Sequence, residues 1–336
     1  MGAALGCRPA PVSRLELIPF RRPAAAGFRE SVLVIRSEGG LQGLGEAPVT
    51  PGRSGSLAEV LAELEGQRAA GPAARCGLQT AEFDLAARRR GVPLAALLGG
   101  PRRDRVECTA LISAEAPQEV VAEVERWASL GFAAFKLKSA GRALETDLER
   151  LGAARFAAGP TARLRLDFNG SLSRVEASER LRALAGFNLE LIEQPLAAAA
   201  PPTDWAHLSS QSHLPLAADE SLADPVAAAA LLSLGVLPAV KLATVGGPQR
   251  ALALAAGSQG GATLGSSFES SIGLAAALHV ACALERGPLA CGLATDRLRE
   301  PELAAGLEWK GPLLGLPGRP GLGVTLDRAA LAGYRL

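Results

Sequence analysis

The chain has 336 residues, of which 48% are hydrophobic and 21% are charged, and its formal net charge is +1. This composition is ordinary for a globular protein, and the near-zero charge gives no electrostatic reason to expect a nucleic acid or an anionic membrane as a partner. No apolar run reaches the roughly 18 residues that a membrane-spanning helix needs. The length suits an α/β barrel of roughly 200–250 residues together with a smaller second domain.

The N-terminal residues and the cysteines indicate a cytoplasmic protein. Residues 1–11 lack the basic region and the sustained apolar region of a signal peptide. The five cysteines are scattered, without CxxC spacing: Cys7, Cys76, Cys108, Cys282 and Cys291. This pattern predicts free thiols in a reducing compartment rather than disulfides or a zinc site.

The first hundred residues have the pattern of an α+β domain. Ser31–Arg36 is rich in β-forming residues and is separated by two glycines from Leu41–Glu46, which predicts a hairpin. Ser56–Leu64 has apolar residues at helical spacing, and its first residue is a candidate N-cap. Thr80–Arg90 is predicted to form a second amphipathic helix.

From about residue 106 onward, short β-like runs alternate with helix-like stretches. Successive runs begin roughly 23–30 residues apart, about the length of a strand and its crossover helix. The eight runs are Val106–Ile112, Ala133–Lys138, Arg163–Phe168, Leu189–Glu193, Leu216–Asp219, Ala239–Leu242, Thr263–Ser266 and Leu289–Leu293. They predict a (β/α)8-type barrel over residues 104–296, with an α+β capping domain formed by residues 1–103 and completed by 297–336. An open doubly wound sheet is the alternative, but no glycine-rich dinucleotide fingerprint follows the first run.

Three acidic residues lie at the ends of the third, fourth and fifth predicted strands. Asp167, Glu193 and Asp219 are spaced 26 residues apart, one βα unit each. In such barrels the strand ends meet at the carboxyl-terminal mouth, where active sites lie. Three buried acids repel one another unless a cation neutralises them, and oxygen ligands alone favour Mg²⁺ or Mn²⁺. We therefore expect a magnesium site, with helix capping by each acid as the alternative.

Lysine is rare in this chain, and its positions are informative. Only four of the 35 basic residues are lysines, so a lysine that is retained is a candidate for proton transfer, which arginine performs poorly. Lys136 and Lys138 lie on the second predicted strand and face the same side. Lys241 ends the sixth, on the opposite side of the barrel. An ion network between these lysines and the acids is the alternative.

Six motifs occur in order at the barrel spacing. They are KLK at 136–138, DFNG at 167–170, EQP at 193–195, ADES at 218–221, KLATVGG at 241–247 and GSSFESSIG at 265–273. Together with GLGEA at 43–47 they resemble the motifs of the enolase superfamily, in its muconate-lactonizing branch. The resemblance implies a modified (β/α)7β barrel in which Asp167, Glu193 and Asp219 hold Mg²⁺. It also implies that Lys138 and Lys241 are the acid/base pair, that Lys136 assists electrostatically and that Asn169 lies next to the metal site.

The resemblance also implies a reaction. Enzymes of this superfamily remove a proton α to a carboxylate and stabilise the ene-diolate that forms. Within the branch, the stretch from residue 265 to 281 resembles the o-succinylbenzoate synthases, which dehydrate 2-succinyl-6-hydroxy-2,4-cyclohexadiene-1-carboxylate in menaquinone biosynthesis. Ser266 and Ser267 are candidate hydrogen-bond donors to this small carboxylate substrate, with capping of the next helix as the alternative.

Two other functions stay open. A dipeptide epimerase or N-acylamino acid racemase would use both lysines as bases. Dipeptide epimerases carry an Asp-x-Asp pair at the end of the eighth strand, whereas residues 292–296 of this chain contain one acid, Asp296. A catalytically silent barrel that binds a partner is the remaining class, although it would give three clustered acids no role. The oligomeric state is not predicted.

Overall fold

The N-terminal part of the chain forms a three-stranded antiparallel sheet. In the computed structural model, which describes residues 13–24, 27–50, 53–66, 71–295 and 302–336, the strands are β1 (Arg14–Ala24), β2 (Gly27–Glu38) and β3 (Leu41–Val49), in the order β1-β2-β3. Two glycines with positive φ, Gly39 and Gly40, turn the chain between β2 and β3. The predicted hairpin is confirmed.

Three helices follow this sheet: α1 (Leu57–Glu65), α2 (Pro72–Arg90) and α3 (Leu94–Leu97). Ser56 caps α1 as predicted, in a reciprocal capping box with Glu59. The predicted start of the second helix at Thr80 was wrong, because α2 already begins at Pro72. Proline is favoured in the first helical turn, where its missing N–H group has no partner to lose.

Small residues let β3 lie directly on α2. A side chain at Gly43 or Gly45 would collide with the backbone carbonyl of Ala81 or Gly77, respectively. The GLGEA motif therefore has a packing role, since glycine alone permits this approach. The same close contact fixes the position of the following residue, Glu46, which is buried.

The second half of the chain forms the predicted barrel. The first predicted strand is divided into β4 (Arg105–Glu107), which pairs outside the barrel, and β5. Seven parallel strands follow one another in sequence order around the sheet. They are β5 (Ala110–Ile112), β6 (Ala134–Lys138), β7 (Arg163–Asp167), β8 (Leu191–Glu193), β9 (Leu216–Ala218), β10 (Leu237–Lys241) and β11 (Thr263–Gly265).

The eighth predicted strand closes the barrel, although it is too irregular to form a continuous ladder. It makes single parallel bridges on both sides, from Gly292 to Gly265 of β11 and from Cys291 to Cys108 beside β5. Backbone hydrogen bonds reinforce both contacts, including Gly292 N–H to Leu264 O at 2.8 Å. The fold is therefore an α/β barrel of the modified (β/α)7β type, with an α+β capping unit.

Helices surround the barrel strands. They are α4 (Pro117–Ser129), α5 (Leu144–Ala158), α6 (Arg174–Leu184), α7 (Pro202–Gln211), α8 (Pro225–Ser233), α9 (Leu242–Val245), α10 (Pro248–Ala256) and α11 (Ser271–Ala283). Every residue of α11 except Gly273 is buried, because this helix lies between the barrel and the capping unit and contacts both β3 and α3. A helix that is apolar all round belongs in such an interior position.

The C-terminal segment returns to both parts of the molecule. It comprises β12 (Ala304–Ala305), β13 (Glu308–Lys310), β14 (Leu313–Gly315), β15 (Thr325–Leu326) and α12 (Arg328–Tyr334). The strand β14 pairs with β4, whereas Arg335 forms a bridge to Phe20 of β1. The division into domains at residues 103/104 and 296/297 stays a prediction.

Four of the five cysteines lie among the described residues, and all four are free thiols. Cys76, Cys108, Cys282 and Cys291 are buried free thiols; Cys7 lies outside the described residues. Burial raises the pKa of Cys282 to about 12 and that of Cys291 to about 11, which keeps both thiols protonated and unreactive. Within the described ranges, no helix combines the length and the apolar character that crossing a membrane requires.

Candidate active site at the barrel mouth

Five neighbouring strands each present one charged side chain at the mouth of the barrel. In spatial order from β6 to β10 these are Lys138, Asp167, Glu193, Asp219 and Lys241. The pairing places Lys138 opposite Asp167, and Asp167 opposite Glu193. The site is therefore a row of three acids with one amine at each end.

The three lysines bind the acids directly. Lys138 Nζ donates to Asp167 Oδ2 at 2.5 Å, and Lys241 Nζ donates to Asp219 Oδ2 at 2.6 Å. Lys136 lies two residues before Lys138 on β6. It donates to both oxygens of Glu193 at 2.9 and 3.0 Å. The ion network that the sequence left open as an alternative is thus present in this structure, on acids that are fully buried or nearly so.

Burial and neighbouring charges act differently on the three amines. Burial lowers the pKa of Lys138, and the nearby Asp167 carboxylate does not restore it. Burial also disfavours the ammonium form of Lys241, but Asp219 and Glu193 outweigh it and raise that pKa. The pKa of Lys136 is raised in the same way by Glu193 and Asp167. Lys138 is therefore the amine that loses its proton most readily.

The pKa values of Asp167 and Glu193 are shifted in opposite directions. Burial raises the pKa of Glu193, and the Asp167 carboxylate beside it adds to the effect. At Asp167, burial is outweighed by the ammonium groups of Lys138 and Lys136, so its pKa is lowered. Asp167 therefore remains ionised at neutral pH.

The donor set suits a hard divalent cation. Among the described residues, no three acidic, histidine or cysteine side chains are already arranged around a cation position, because the carboxylates are turned toward the lysines. However, Asp219 Oδ1 is buried and has no hydrogen-bond partner in the described part of the chain, so this oxygen is available to a cation. A metal bound by Asp167, Glu193 and Asp219 would have oxygen ligands only, as Mg²⁺ prefers.

Asn169 connects the row of acids to a fourth acid. Its backbone N–H donates to Asp167 Oδ1 at 2.9 Å, and its side-chain oxygen accepts from Lys138 Nζ at 3.0 Å. Its amide nitrogen donates to Glu220 Oε1 at 3.2 Å. A positive φ of 47° allows these contacts, and asparagine tolerates that conformation better than most residues. Asn169 therefore lies beside Asp167, and its place next to a bound metal stays a prediction.

The two predicted substrate-binding serines belong to a tight turn after β11. Ser266 Oγ donates to Glu269 Oε2 at 2.7 Å and accepts from the Phe268 N–H at 2.8 Å. The Ser267 N–H donates to the same Glu269 oxygen at 2.6 Å. Ser270 caps α11, so the alternative that Ser266 or Ser267 caps this helix is wrong.

Two cavities adjoin the charged row. The smaller, of about 60 Å³, is lined by Lys136, Lys138, Lys241, Ser266 and Phe268, among others. The larger, of about 400 Å³, lies between the barrel and the capping unit and includes Ser267, Asn169 and Glu220. Thr295, at the end of the eighth strand, lines the smaller cavity. Asp296, the one acid of residues 292–296, lies outside the described residues.

Several further charged residues, to which the sequence assigned no role, lie at or beside the site. From the capping side, Arg53 hydrogen-bonds to Glu220, and Glu46 accepts from Ser270 Oγ at 2.5 Å. Arg22 donates to the Phe268 carbonyl at 2.7 Å. Glu220 follows a predicted metal ligand within the ADES motif and could have been found there. Glu46 likewise lies within the GLGEA motif. Arg22 and Arg53 belong to no motif, because they reach the site only through the packing of the two units.

Comparisons with known proteins identify the family of this chain. Residues 119–330 match the family model described as enolase C-terminal domain-like. The L-Ala-D/L-Glu epimerase of Bacillus subtilis is 28% identical over 95% of this chain and 96% of its own length. The o-succinylbenzoate synthase of Thermobifida fusca is 37% identical over 61% of this chain and 64% of its own. A muconate lactonizing enzyme from Pseudomonas fluorescens, solved with muconolactone, superposes with a TM-score of 0.89 at 25% identity, covering 97% of this chain and 99% of that one.

Proposed function

The chain belongs to the enolase superfamily, and from this we propose that it is a magnesium-dependent enzyme that abstracts a proton α to a carboxylate, with o-succinylbenzoate synthesis as its reaction. The observation that carries this proposal is the order of side chains along five adjacent strand ends. Lys138 and Lys241 flank Asp167, Glu193 and Asp219. A cation held by the three acids would have an amine on either side of any carboxylate bound to it.

Members of this superfamily generally use Mg²⁺, which would here be held by Asp167, Glu193 and Asp219. When bound, the ion would stabilise negative charge that develops on the substrate carboxylate. The remaining charge stabilisation comes from the protein itself. Lys241 is buried, with its side chain 9% exposed, and its raised pKa keeps it as an ammonium beside the reacting group.

Lys138 is the proposed base. Its side chain is 28% exposed, so it is more open to a substrate than Lys241, and it lines the smaller cavity. As a neutral amine, it removes the ring proton next to the carboxylate. The ammonium that forms then gives this proton to the hydroxyl group that leaves from the same face. The proton and the hydroxide thus depart as water, and Lys138 is neutral again.

The choice among reactions rests on two observations. The relative with the highest of the identities reported above is an o-succinylbenzoate synthase, and a single base suffices for this dehydration. An epimerase or racemase remains the second candidate, because the B. subtilis epimerase aligns over nearly the whole chain. Such an enzyme would need Lys241 to act as a second base, although the carboxylates of Asp219 and Glu193 raise the pKa of Lys241 and so disfavour its neutral form.

A substitution of the base tests the proposal. Lys138→Arg keeps the positive charge but removes a group that can accept a proton, so we expect the rate of o-succinylbenzoate formation to fall by about 10³-fold or more. Lys310→Arg is the matched control, because Lys310 is exposed on β13 and should leave the rate unchanged. Substantial activity in Lys138→Arg would show that the base is misassigned.

A panel of substrates tests the choice of reaction. The wild-type protein is assayed with Mg²⁺ and with EDTA for formation of o-succinylbenzoate, racemisation of N-succinylamino acids and epimerisation of L-Ala-D-Glu. The proposal expects the first activity to dominate by kcat/KM and to disappear in EDTA. If racemisation or epimerisation dominates, the second candidate is correct. If none of the three reactions is detected and no α-proton exchanges with deuterated solvent, both candidate reactions fail, as expected of a catalytically silent member.

A further inference from the structure

One arginine of the capping unit faces the larger cavity beside the proposed active site. Arg53 lies between β3 and α1, and its side chain is 36% exposed. It is the only cationic side chain among the described residues that line this cavity, whose walls are otherwise mostly small or apolar. Glu220 lines the same cavity and pairs with Arg53 on one side, and a guanidinium fixed in this way in a mostly apolar recess is a typical means of orienting an anionic ligand group.

The contacts of Arg53 leave most of its hydrogen-bonding capacity free. Within the described part of the chain, its one hydrogen bond runs from Arg53 Nη2 to Glu220. Arg53 Nη1 lies 4.0 Å from Asp219 Oδ2, which is too far for a hydrogen bond. A guanidinium has five N–H donors in a planar fork that matches a carboxylate. Arg53 can therefore receive a second carboxylate without losing Glu220.

Arg53 is also close to the proposed base. Lys138 donates to Asn169 at 3.0 Å, and Asn169 donates to Glu220 at 3.2 Å. Only the Asn169 side chain thus separates the base from the Glu220–Arg53 pair. A substrate with its reacting carboxylate at the row of acids would extend past Asn169 into the cavity that Arg53 lines.

We propose that Arg53 binds a second, distal carboxylate of the substrate and so makes the enzyme selective for dicarboxylates. This inference rests on the proposed function for the position of the first carboxylate, but not for the identity of the reaction. The distal carboxylate would meet a guanidinium at a partly desolvated site, where a charge-assisted, two-pronged contact is stronger than in open water. Glu220 would hold the guanidinium plane in place.

The test separates binding of the distal carboxylate from catalysis. Arg53→Gln removes the charge, and Arg53→Lys keeps it without the planar fork. With the dicarboxylate substrate we expect Arg53→Gln to lower kcat/KM about 10- to 100-fold, mainly through KM, and Arg53→Lys to have an intermediate effect. With the substrate esterified at its distal carboxylate, wild type and both variants should agree within about threefold. Arg89→Gln is the control, because Arg89 is similarly exposed and is paired with Glu38 away from the cavity.

Binding without turnover keeps this test independent of the reaction. Calorimetry with o-succinylbenzoate, an N-succinylamino acid and muconate, each beside its distal monoester, should show tighter binding of at least one diacid, and Arg53→Gln should remove that preference. If the preference exists while no o-succinylbenzoate is formed, only the proposed function fails. The inference is overturned if no diacid binds better than its ester, or if Arg53→Gln weakens diacid and ester equally, as loss of a purely structural contact would.

Discussion

Glu269 is a buried carboxylic acid that organises the turn after β11. Its side chain accepts from Ser266 Oγ and from the Ser267 N–H, and the turn places Phe268 at a φ of 66°. For a bulky residue, that conformation costs about 1–3 kcal/mol and persists only where surrounding contacts hold it. Glu269 is therefore a positioning residue for the wall of the smaller cavity.

The pKa of Glu269 leads to a prediction about stability. Burial raises this pKa, and the neighbouring Glu46 adds to the shift. The folded state thus holds the proton more tightly than the unfolded state, so stability falls as pH rises from the unfolded value of 4.5 through the folded pKa. Glu269→Gln cannot ionise, yet its amide oxygen can still accept both hydrogen bonds. We expect this variant to gain stability relative to wild type between pH 5 and pH 8, as measured by urea unfolding.

A second variant at this position distinguishes the contact from the charge. Glu269→Ala leaves the buried Ser266 hydroxyl and the partly buried Ser267 N–H without an acceptor, which should cost about 1–3 kcal/mol for the buried donor and less for the other, at every pH. If Glu269→Gln and Glu269→Ala have the same free energy of unfolding, the two hydrogen bonds to Glu269 do not contribute measurably to stability. If the difference between Glu269→Gln and wild type does not change with pH, the carboxyl group is not buried as described.

Among individual residues, the acids and lysines of the row could be predicted from the sequence, whereas the residues around the row could not. Asp167, Glu193 and Asp219 were found because strand ends recur with the βα period, and the lysines because they are rare in this chain. No comparable regularity marks Arg53, which lies in a loop of the other unit. Its approach to Glu220 results from the docking of two units, and single-sequence patterns carry no information on that docking.

Helix α11 connects the barrel to the capping unit through a buried histidine. The backbone N–H of Ala95 in α3 donates to His279 Nδ1 at 3.1 Å, and His279 is fully buried. Burial disfavours the imidazolium and lowers the pKa of His279 to about 4. The histidine must therefore be neutral for these two helices to pack together.

This contact predicts acid sensitivity at the junction between the units. The unfolded state binds a proton near pH 6.5, whereas the folded state does so only near pH 4. The stability that the neutral histidine contributes is thus complete above pH 6.5 and is lost as pH falls toward 4, a loss on the order of 3 kcal/mol. His279→Asn keeps an acceptor near the position of Nδ1 and cannot be protonated, so its unfolding free energy should fall less over this range.

The comparison needs a second histidine as its control. His213 is exposed, so His213→Asn should retain the wild-type pH dependence. Chemical unfolding at half-unit steps from pH 7 to pH 4.5 measures all three proteins. A slope in His279→Asn as steep as that of wild type would mean that other groups cause the acid sensitivity.

The elements themselves were predictable to different degrees. The strands β6 and β7 agree with their predicted runs to within one residue at each end, because both alternate apolar and charged residues between clear helix and turn signals. The eighth strand was found at the right place but forms only isolated bridges. The first run was divided because β4 turns outward to pair with β14, a partner more than 200 residues away that a local pattern cannot reveal.

The stability of the whole molecule should depend on a divalent cation, because folding brings several acids close together. Four acids, Asp167, Glu193, Asp219 and Glu220, lie in one patch. A cation that binds Asp167, Glu193 and Asp219 only in the folded state stabilises the protein by mass action, by about 2.7 kcal/mol at a concentration 100 times its dissociation constant. We therefore expect Mg²⁺ to raise the midpoint of thermal unfolding by several degrees relative to a sodium solution of equal ionic strength.

The same measurement on variants assigns the effect to the site. Asp219→Asn removes a carboxylate whose Oδ1 is buried without a hydrogen-bond partner in the described residues, so the response to Mg²⁺ should largely disappear. Asp104→Asn is the control, because Asp104 is exposed and paired with its neighbour Arg105, and it should respond like wild type. An Mg²⁺ response that survives in Asp219→Asn would place the ion elsewhere on the molecule. No response in wild type would mean that the lysines alone neutralise these acids, which would remove the basis for a metal-assisted reaction.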